Sequence, residues 1–280
     1  HWTSSWIRKN IRNIMKIGIV GLGVVGTANK KGFESLSHEV KCHDTKFDTT
    51  IKEVADTEIT FICVPTPEGI YNKCDTTIVE SVIKELNGIN YKGIVAIRSS
   101  TVPGFTNKMI KRFKKLTIAF VPEFLKERCA DEDFTHNHTL LAVGTEDKRV
   151  FNKIVKAHGS YPQNKVRLTA TEAEVLKYFN NVYAALRVTF ANNFFEICEK
   201  LNCDYTAIKD AYIKTGKAVD MYLDATPELR GYSGMCLPKD TKAIMNLMEE
   251  LNINLDLIKS IESDNSKFRK TVFNGMRGEE

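Results

Sequence analysis

The sequence predicts an α/β domain with a doubly wound parallel sheet, followed by an all-helical domain. Short β-branched apolar runs alternate with helical stretches from about Lys16 to Gly144. This alternation is typical of a buried parallel sheet that helices cover on both faces. From Thr171 to about Leu201 the apolar residues recur at helical spacing without Pro or Gly. The second pattern predicts one long helix.

Each element follows from one of these patterns. We predict strands at the apolar runs 17–20, 40–42, 59–63, 94–97, 118–120 and 140–143, and further helices at 205–215, 240–251 and 255–272. Met15 opens the stretch MKIGIV that contains the first strand, so the expected domains are an extension at 1–14, the sheet domain at 15–165 and the helical domain at 166–280. The long helix exceeds the usual length in globular domains, which favours a role as a domain spine or dimer interface.

Composition narrows the class of protein. The 280 residues have room for about two domains, and 40 basic and 35 acidic residues are interleaved, so we expect no nucleic-acid partner. We expect neither membrane insertion nor export, because no apolar run approaches the roughly 20 residues that span a bilayer. Seven irregularly spaced cysteines predict reduced thiols in a cytoplasmic protein. His136 and His138 lack neighbouring ligands, so we interpret them as loop residues and predict no metal.

A glycine motif follows the first predicted strand. Gly21, Gly23 and Gly26 precede a helix, where they allow a tight turn and close backbone approach to a pyrophosphate. Asp44 lies after the second strand, where a carboxylate binds ribose hydroxyls and repels a 2′-phosphate. The pattern predicts a Rossmann-type domain that binds NAD rather than NADP. A turn in another α/β fold is the alternative.

Polar loops follow three later strands. Residues 64–67 and 99–104 lie where ligands bind in doubly wound sheets, although taken alone both stretches are also ordinary turn sequences. Glu123 and Glu127 stand four residues apart. On a helix both carboxylates would face one way, as general acid/base chemistry requires, and a charged surface turn is the alternative.

Two further groups carry chemistry. Lys177 and Asn181 are four residues apart on the long helix, where they could stabilise an oxyanion or simply be solvated. Cys236 lies in a glycine-rich loop that runs into a helix, a position that favours the thiolate, and Asp240 lies one turn further. The alternative for Cys236 is a buried, inert cysteine.

The ordered motifs GLGVVG, VPTP, SSTVPG, PEFLKE, LKYFNN and GYSGMCLPKD, spread between Met15 and Lys270, resemble those of the UDP-glucose/GDP-mannose dehydrogenase family. This resemblance implies oxidation of a nucleotide-sugar C6 alcohol to the carboxylate, UDP-glucose to UDP-glucuronate, with two NAD reduced. It also implies Cys236 as the nucleophile of a thiohemiacetal and thioester, Lys177 and Asn181 as oxyanion stabilisers, and Asp240 as an aid to proton transfer. A homodimer through the helix at 171–201 is expected.

The resemblance assigns further residues. Glu127 would be the base for thioester hydrolysis, with Thr101 and Glu123 positioning water. The cofactor contacts that the resemblance implies are Gly21, Gly23, Val24, Val25, Gly26, Asp44, Lys46, Val64, Pro65, Thr66, Ser100, Thr101 and Glu127.

The sequence also departs from the family pattern. Family members usually have Gly where this chain has Arg128 and Asn where it has Val121. An Arg-Ile-Gly stretch that helps bind the sugar in the family is replaced by residues 219–223, and Arg230 is the candidate to compensate for it. The family continues into a nucleotide-binding third domain, whereas this sequence ends at Glu280, so we expect poor sugar-nucleotide affinity unless another chain supplies that surface.

Two other functions remain open at this point. One is a non-catalytic NAD-binding or assembly module. The other is a β-hydroxyacid dehydrogenase, which also joins a dinucleotide domain to a helical one but needs no thiol nucleophile.

Overall fold

The computed structural model describes residues 14–70, 73–126 and 129–268. The chain divides into two compact units. The first contains the described residues up to Pro67 and Asp75–Lys177, and the second contains Glu68–Cys74 and the described residues from Tyr178 onward. The division falls within the long helix, twelve residues after the predicted boundary at 165/166. Of the expected extension at 1–14, residues 1–13 lie outside the described residues.

The first unit is built on a seven-stranded sheet in the order β2-β1-β3-β4-β5-β6-β7. Its strands are β1 Lys16–Val20, β2 Glu39–His43, β3 Ile59–Ile62, β4 Ile94–Ile97, β5 Thr117–Phe120, β6 Leu140–Gly144 and β7 Asn164–Leu168. Its helices are α1 Val24–Ser35, α2 Thr77–Gly88, α3 Phe105–Arg112, α4 Ala130–Thr135 and α5 Lys148–His158. The predicted fold class and all six predicted strands are confirmed.

The sheet departs from the prediction at one edge. β7 was not predicted, because its sequence NKVRL is polar and its residues are exposed or half-buried. β6 pairs antiparallel with β5, and only through Phe120 and Gly144, while β7 pairs parallel with β6. The predicted parallel sheet is therefore confirmed for β1 to β5, whereas β6 and β7 run antiparallel to them. The direction of β6 could not be predicted, since an apolar run looks the same in either direction.

Apolar side chains fill both faces of the sheet. Val95 and Ile97 of β4 pack with Leu86 of α2 on one face. Phe61 of β3 packs with Phe33 of α1 on the other. Strand residues alternate between the two faces, so both sides need a helical cover, and the sheet is doubly wound.

The second unit is helical. It contains the later part of α6 Ala170–Leu201, then α7 Tyr205–Ile213, α8 Leu237–Glu250 and α9 Leu257–Asn265. The four helices predicted from periodicity are confirmed with shifted ends, and residues 269–272 of the last one lie outside the described part. Among the described residues, no helix combines the length and apolar character that a bilayer span requires.

Candidate functional site

The glycine loop between β1 and α1 is closely packed. Gly21 has φ +93°, and a Cβ at Gly21 would lie 2.7 Å from the Cys63 carbonyl oxygen. A Cβ at Gly26 would lie 1.8 Å from the Gly21 carbonyl oxygen. Gly23 precedes α1, which starts at Val24 with no side-chain cap on its first N–H groups. These N–H groups are therefore available to an anion, as the binding of a pyrophosphate requires.

Asp44 adjoins this loop. Its Oδ2 accepts a hydrogen bond from the Leu22 N–H at 2.6 Å, and its Oδ1 accepts one from the Lys46 N–H at 2.8 Å. Burial alone would raise the pKa of Asp44, but these two backbone hydrogen bonds outweigh it and lower the pKa. An ionised carboxylate beside the glycine loop fits the ribose hydroxyls of NAD.

The loops after β3 and β4 are joined by a hydrogen bond. The Ser99 hydroxyl donates to the Val64 carbonyl oxygen at 2.7 Å. Val64–Thr66 and Ser100–Thr101 therefore belong to adjacent loops at the carboxyl edge of the parallel strands, although their contact with a cofactor stays a prediction.

Glu174 in the first turns of α6 holds the second of these loops, and sequence reasoning missed it. Its buried carboxylate accepts hydrogen bonds from the Thr101 hydroxyl at 3.2 Å, the Gly104 N–H at 2.6 Å and the Thr106 N–H at 2.8 Å. Gly104 caps α3, so Glu174 supplies the anion that the start of this helix favours. Burial raises the pKa of Glu174 despite these hydrogen bonds. The Thr101 hydroxyl is thus positioned from α6.

A helix that presents Glu123 and Glu127 on one face was one of the two interpretations of this segment. The described residues 121–126 contain no helix, and Glu127 lies outside the described residues. The Glu123 carboxylate is buried, where it pairs with Arg98 Nη1 at 2.8 Å and accepts from the Phe124 N–H at 3.0 Å. Both carboxylate oxygens are therefore engaged within the first unit.

Arg98 links this pair to a buried histidine. Its guanidinium hydrogen-bonds His158 Nε2 and lies 4.8 Å from the centre of the Phe61 ring. His158 Nδ1 lies 2.7 Å from the Ile154 carbonyl oxygen. Nδ1 must therefore carry the proton, and Nε2 accepts from Arg98. Burial, followed by the Arg98 charge, holds the pKa of His158 well below its usual value.

This network predicts a loss of stability in mild acid. Burial lowers the pKa of both His138 and His158 below 6.5, so the unfolded chain binds protons that the folded chain does not. The contribution of each buried neutral histidine to the free energy of unfolding is complete above the pKa that histidine has in the unfolded chain. It falls as pH drops below that pKa, by up to about 1.4 kcal/mol per pH unit for each histidine. Urea unfolding at pH values on both sides of that pKa measures it.

The matched control is the exposed His136. We expect His136→Gln to keep the pH slope of the free energy of unfolding and His138→Gln to reduce it. Equal stability across the pH interval in the unmodified chain would contradict the prediction.

Lys177 and Asn181 occupy successive turns of α6. The half-buried Lys177 ammonium donates to the Glu123 backbone carbonyl, and its Nζ lies 5.7 Å from the centre of the Phe124 ring. Lys177 therefore fixes the loop after β5, just as Glu174 fixes the loop after β4.

The second unit brings Asn181 and Asp240 together. Cys236 is exposed directly before α8, and the Asp240 N–H donates to its carbonyl oxygen at 2.9 Å. The buried Asp240 carboxylate accepts from Asn181 Nδ2 at 2.6 Å and from Lys239 Nζ at 2.8 Å. Because Cys236 is exposed, the alternative of a buried, inert cysteine is excluded.

Lys239 is a second residue that sequence reasoning missed. Burial would lower its pKa, but attraction to Asp240 and to the ionised forms of Cys74 and Cys236 outweighs burial and raises it. Lys239 therefore stays charged at neutral pH, within electrostatic range of the Cys236 thiol. In the sequence, only its position directly before Asp240 could have indicated a role for Lys239.

The glycine-rich loop before Cys236 is anchored on neighbouring helices. Arg230 Nε donates to Asn192 Oδ1 at 2.7 Å, and the Gly231 N–H donates to the same oxygen at 3.2 Å. The Tyr232 N–H donates to Asn265 Oδ1 at 2.7 Å. Arg230 thus holds the loop in place, and a contact between Arg230 and a sugar stays a prediction.

The described residues show neither a disulfide nor a group of three or more side chains arranged to hold a metal ion. His136 and His138 lie in the loop between α4 and β6. His138 is buried, with Nδ1 3.2 Å from the Phe134 carbonyl oxygen.

Both parts of the chain match one family. Residues 42–158 match the NAD binding domain of the UDP-glucose/GDP-mannose dehydrogenase family, and residues 171–267 match its central domain. UDP-glucose 6-dehydrogenase YwqF of Bacillus subtilis is 24% identical over 289 residues, which cover 88% of this chain and 65% of that protein. The chain therefore spans slightly less than two thirds of that relative.

Solved structures agree with this match. A UDP-glucose dehydrogenase from the archaeon Pyrobaculum islandicum has a TM-score of 0.84 at 25% identity, covering 91% of this chain and 68% of that one. A 3-hydroxyisobutyrate dehydrogenase from Mycobacterium tuberculosis has a TM-score of 0.73 at 14% identity, covering 91% and 93%. The second likeness concerns the fold alone.

Proposed function

Because the chain belongs to the UDP-glucose/GDP-mannose dehydrogenase family, we propose that it oxidises the C6 alcohol of UDP-glucose to the carboxylate with NAD. The observation that carries the proposal is the exposed Cys236 at the start of α8, one turn before the buried Asp240, to which Asn181 and Lys239 both donate. A β-hydroxyacid dehydrogenase shares the fold but has no use for this thiol.

The first unit fits the cofactor. The backbone at Gly21 and Gly23 would hold the pyrophosphate, Asp44 the ribose hydroxyls, and the loops after β3 and β4 the nicotinamide. NAD, when bound, accepts a hydride from C6 in each of two oxidations. Thr101, whose hydroxyl is fixed by Glu174, would orient groups at that end.

Cys236 retains the substrate between the two oxidations. The first oxidation turns the alcohol into an aldehyde and releases a hydride and a proton. The Cys236 sulfur then bonds to the aldehyde carbon, and the thiol proton passes to the oxygen, which gives a thiohemiacetal. Loss of a second hydride and proton gives a thioester, and water hydrolyses it to the carboxylate and the free thiol.

The surrounding groups serve this sequence of steps. Asp240 would receive and return the proton, because it lies one helical turn after Cys236 and its carboxylate is fixed on two sides. Lys177 and Asn181 would stabilise the oxyanionic intermediates. Glu127 would activate the hydrolytic water. We propose that Glu123 acts on Lys177 through its backbone carbonyl, since both its carboxylate oxygens are engaged.

The test is NADH formation from UDP-glucose by the purified chain. We expect two NADH for each UDP-glucuronate formed, and no UDP-glucuronate with Cys236→Ala. Cys203→Ala, which removes another exposed thiol, is the matched control and should retain activity. Carboxylate formation by Cys236→Ala would exclude the thioester. NAD binding without turnover in the unmodified chain would contradict activity of this chain on its own.

We also propose that two copies associate through α6. An apolar stripe on this helix is exposed, and its members are Phe179, Tyr183, Phe190, Phe194, Ile197 and Leu201. Their spacing of three, four and seven residues places them on one helical face. Exposed stripes of this kind mark interaction sites. We propose the cytoplasm as the location, since all seven cysteines are thiols.

Charge on this stripe should prevent association. We expect Phe190→Asp with Phe194→Asp to yield a monomer, because both aromatic rings are exposed and lie 4.8 Å apart. Light scattering on a sizing column measures the mass. Ile208→Asp changes an exposed apolar residue of α7 and should leave the dimer intact. A monomeric unmodified chain, or a dimeric double variant, would contradict the proposal.

A further inference from the structure

Two cysteines flank the end of α6 in the second unit. Cys198 is only 3% exposed in the last turn of α6, and Cys203 is exposed in the connection to α7. Asn202 between them has φ +52°, and the Cys203 N–H donates to the Cys198 carbonyl oxygen at 3.0 Å. A left-handed residue followed by this six-to-one hydrogen bond is the Schellman helix ending.

This helix ending determines where the two side chains lie. Its first and last residues usually make an apolar contact with each other. Here both residues are cysteines, and burial, followed by interaction with Cys203, raises the pKa of the Cys198 thiol. The contact that two apolar side chains usually make at such a helix end therefore falls to the side chains of Cys198 and Cys203.

The backbone is fixed on both sides of this pair. Cys198 belongs to an apolar cluster with Phe195 and Tyr205. Asp204, the residue after Cys203, caps α7 by accepting from the Thr206 N–H at 2.8 Å. The backbone that carries the two cysteines is therefore fixed on both sides, with Cys198 buried and Cys203 exposed.

We propose that Cys198 and Cys203 form a dithiol modification site that takes thiophilic reagents able to bridge two sulfurs and closes to a disulfide with a small-molecule disulfide. The Cys203 thiolate attacks the reagent, forms a mixed disulfide and releases one small thiol. The Cys198 sulfur then displaces the second small thiol. Two protein S–H bonds are oxidised to one S–S bond, and the reagent is reduced to two thiols. The bond would link the end of α6 to the start of α7.

Phenylarsine oxide is the probe for the bridging reaction, because trivalent arsenic binds two thiols with loss of water. We expect an adduct across Cys198 and Cys203 that survives excess monothiol and is removed by a dithiol, as located by mass spectrometry of proteolytic peptides. Dithiodipyridine should give a peptide cross-linked between the same residues, with two thiopyridones released for each cross-link.

Single variants separate this site from the other thiols. Cys203→Ser, at an exposed position that should not disturb folding, is expected to lose both the arsenical bridge and the cross-link, as is Cys198→Ser. Cys42→Ser is the control and should keep both. Independent alkylation of the two thiols without a cross-linked peptide, or an arsenical bridge at this position that persists in Cys203→Ser, would overturn the proposal.

Discussion

Replacing Arg98 with methionine is expected to lower the free energy of unfolding by about 3–5 kcal/mol, because it strands a buried carboxylate without its charged partner. The side chains of Arg98 and Glu123 are 0% and 8% exposed, so water cannot take over the lost contact. The variant also removes the donor to His158. Urea denaturation at neutral pH measures the change.

Two companion variants identify the cause. Arg98→Met with Glu123→Met removes both charges, and since buried ion pairs can often be replaced by apolar pairs at little cost, most of the stability should return. Arg112→Met breaks the exposed pair with Glu80 and should cost no more than about 1 kcal/mol. If Arg98→Met and Arg112→Met lowered the free energy of unfolding equally, burial of the Arg98–Glu123 pair would not determine its contribution to stability.

Gly26→Ala is expected to weaken NAD binding by about 100-fold, which corresponds to about 3 kcal/mol or two lost hydrogen bonds to a charged group. The new Cβ would lie 1.8 Å from the Gly21 carbonyl oxygen, and both atoms belong to the backbone segment that must approach the pyrophosphate. The loop has to move, and its N–H groups move with it. Titration calorimetry with NAD measures the dissociation constant.

Gly88→Ala is the matched control. Gly88 ends α2, and a Cβ there would have no neighbour within 4 Å. This substitution should leave NAD affinity unchanged and stabilise the helix by at most about 1 kcal/mol. An unchanged affinity in Gly26→Ala would show that this loop does not form the pyrophosphate site.

Strands that are buried could be predicted from the sequence, and the exposed strand at the sheet edge could not. β3 and β4 are buried at every position, so their apolar runs were unambiguous. β7 lies at the sheet edge and carries Lys165 and Arg167, so no apolar run marked it. The direction of β6 was also unpredictable, because side-chain alternation does not depend on strand direction.

In the candidate site, too, residues with a local sequence signal were predicted and residues without one were missed. The glycine motif and Cys236 were recognisable because their chemistry depends on residues close in sequence. Glu174 was missed because its hydrogen-bond donors lie 68 to 73 residues earlier in the chain. The ion pair of the Glu123 carboxylate with Arg98 was missed because Arg98, 25 residues earlier, had no local signal.

The reversed edge of the sheet has a consequence for the start of α6. β6 meets β5 only where Phe120 pairs with Gly144, and Gly144 in turn pairs with Leu168, so both reversed strands finish level with the top of β5. Residue 170, two positions after Leu168, therefore starts α6 at the rim where the loops of Thr101 and Glu123 emerge. The absence of a side chain at Gly144 allows this close approach, since a Cβ at Gly144 would lie 2.9 Å from the Ala170 Cα.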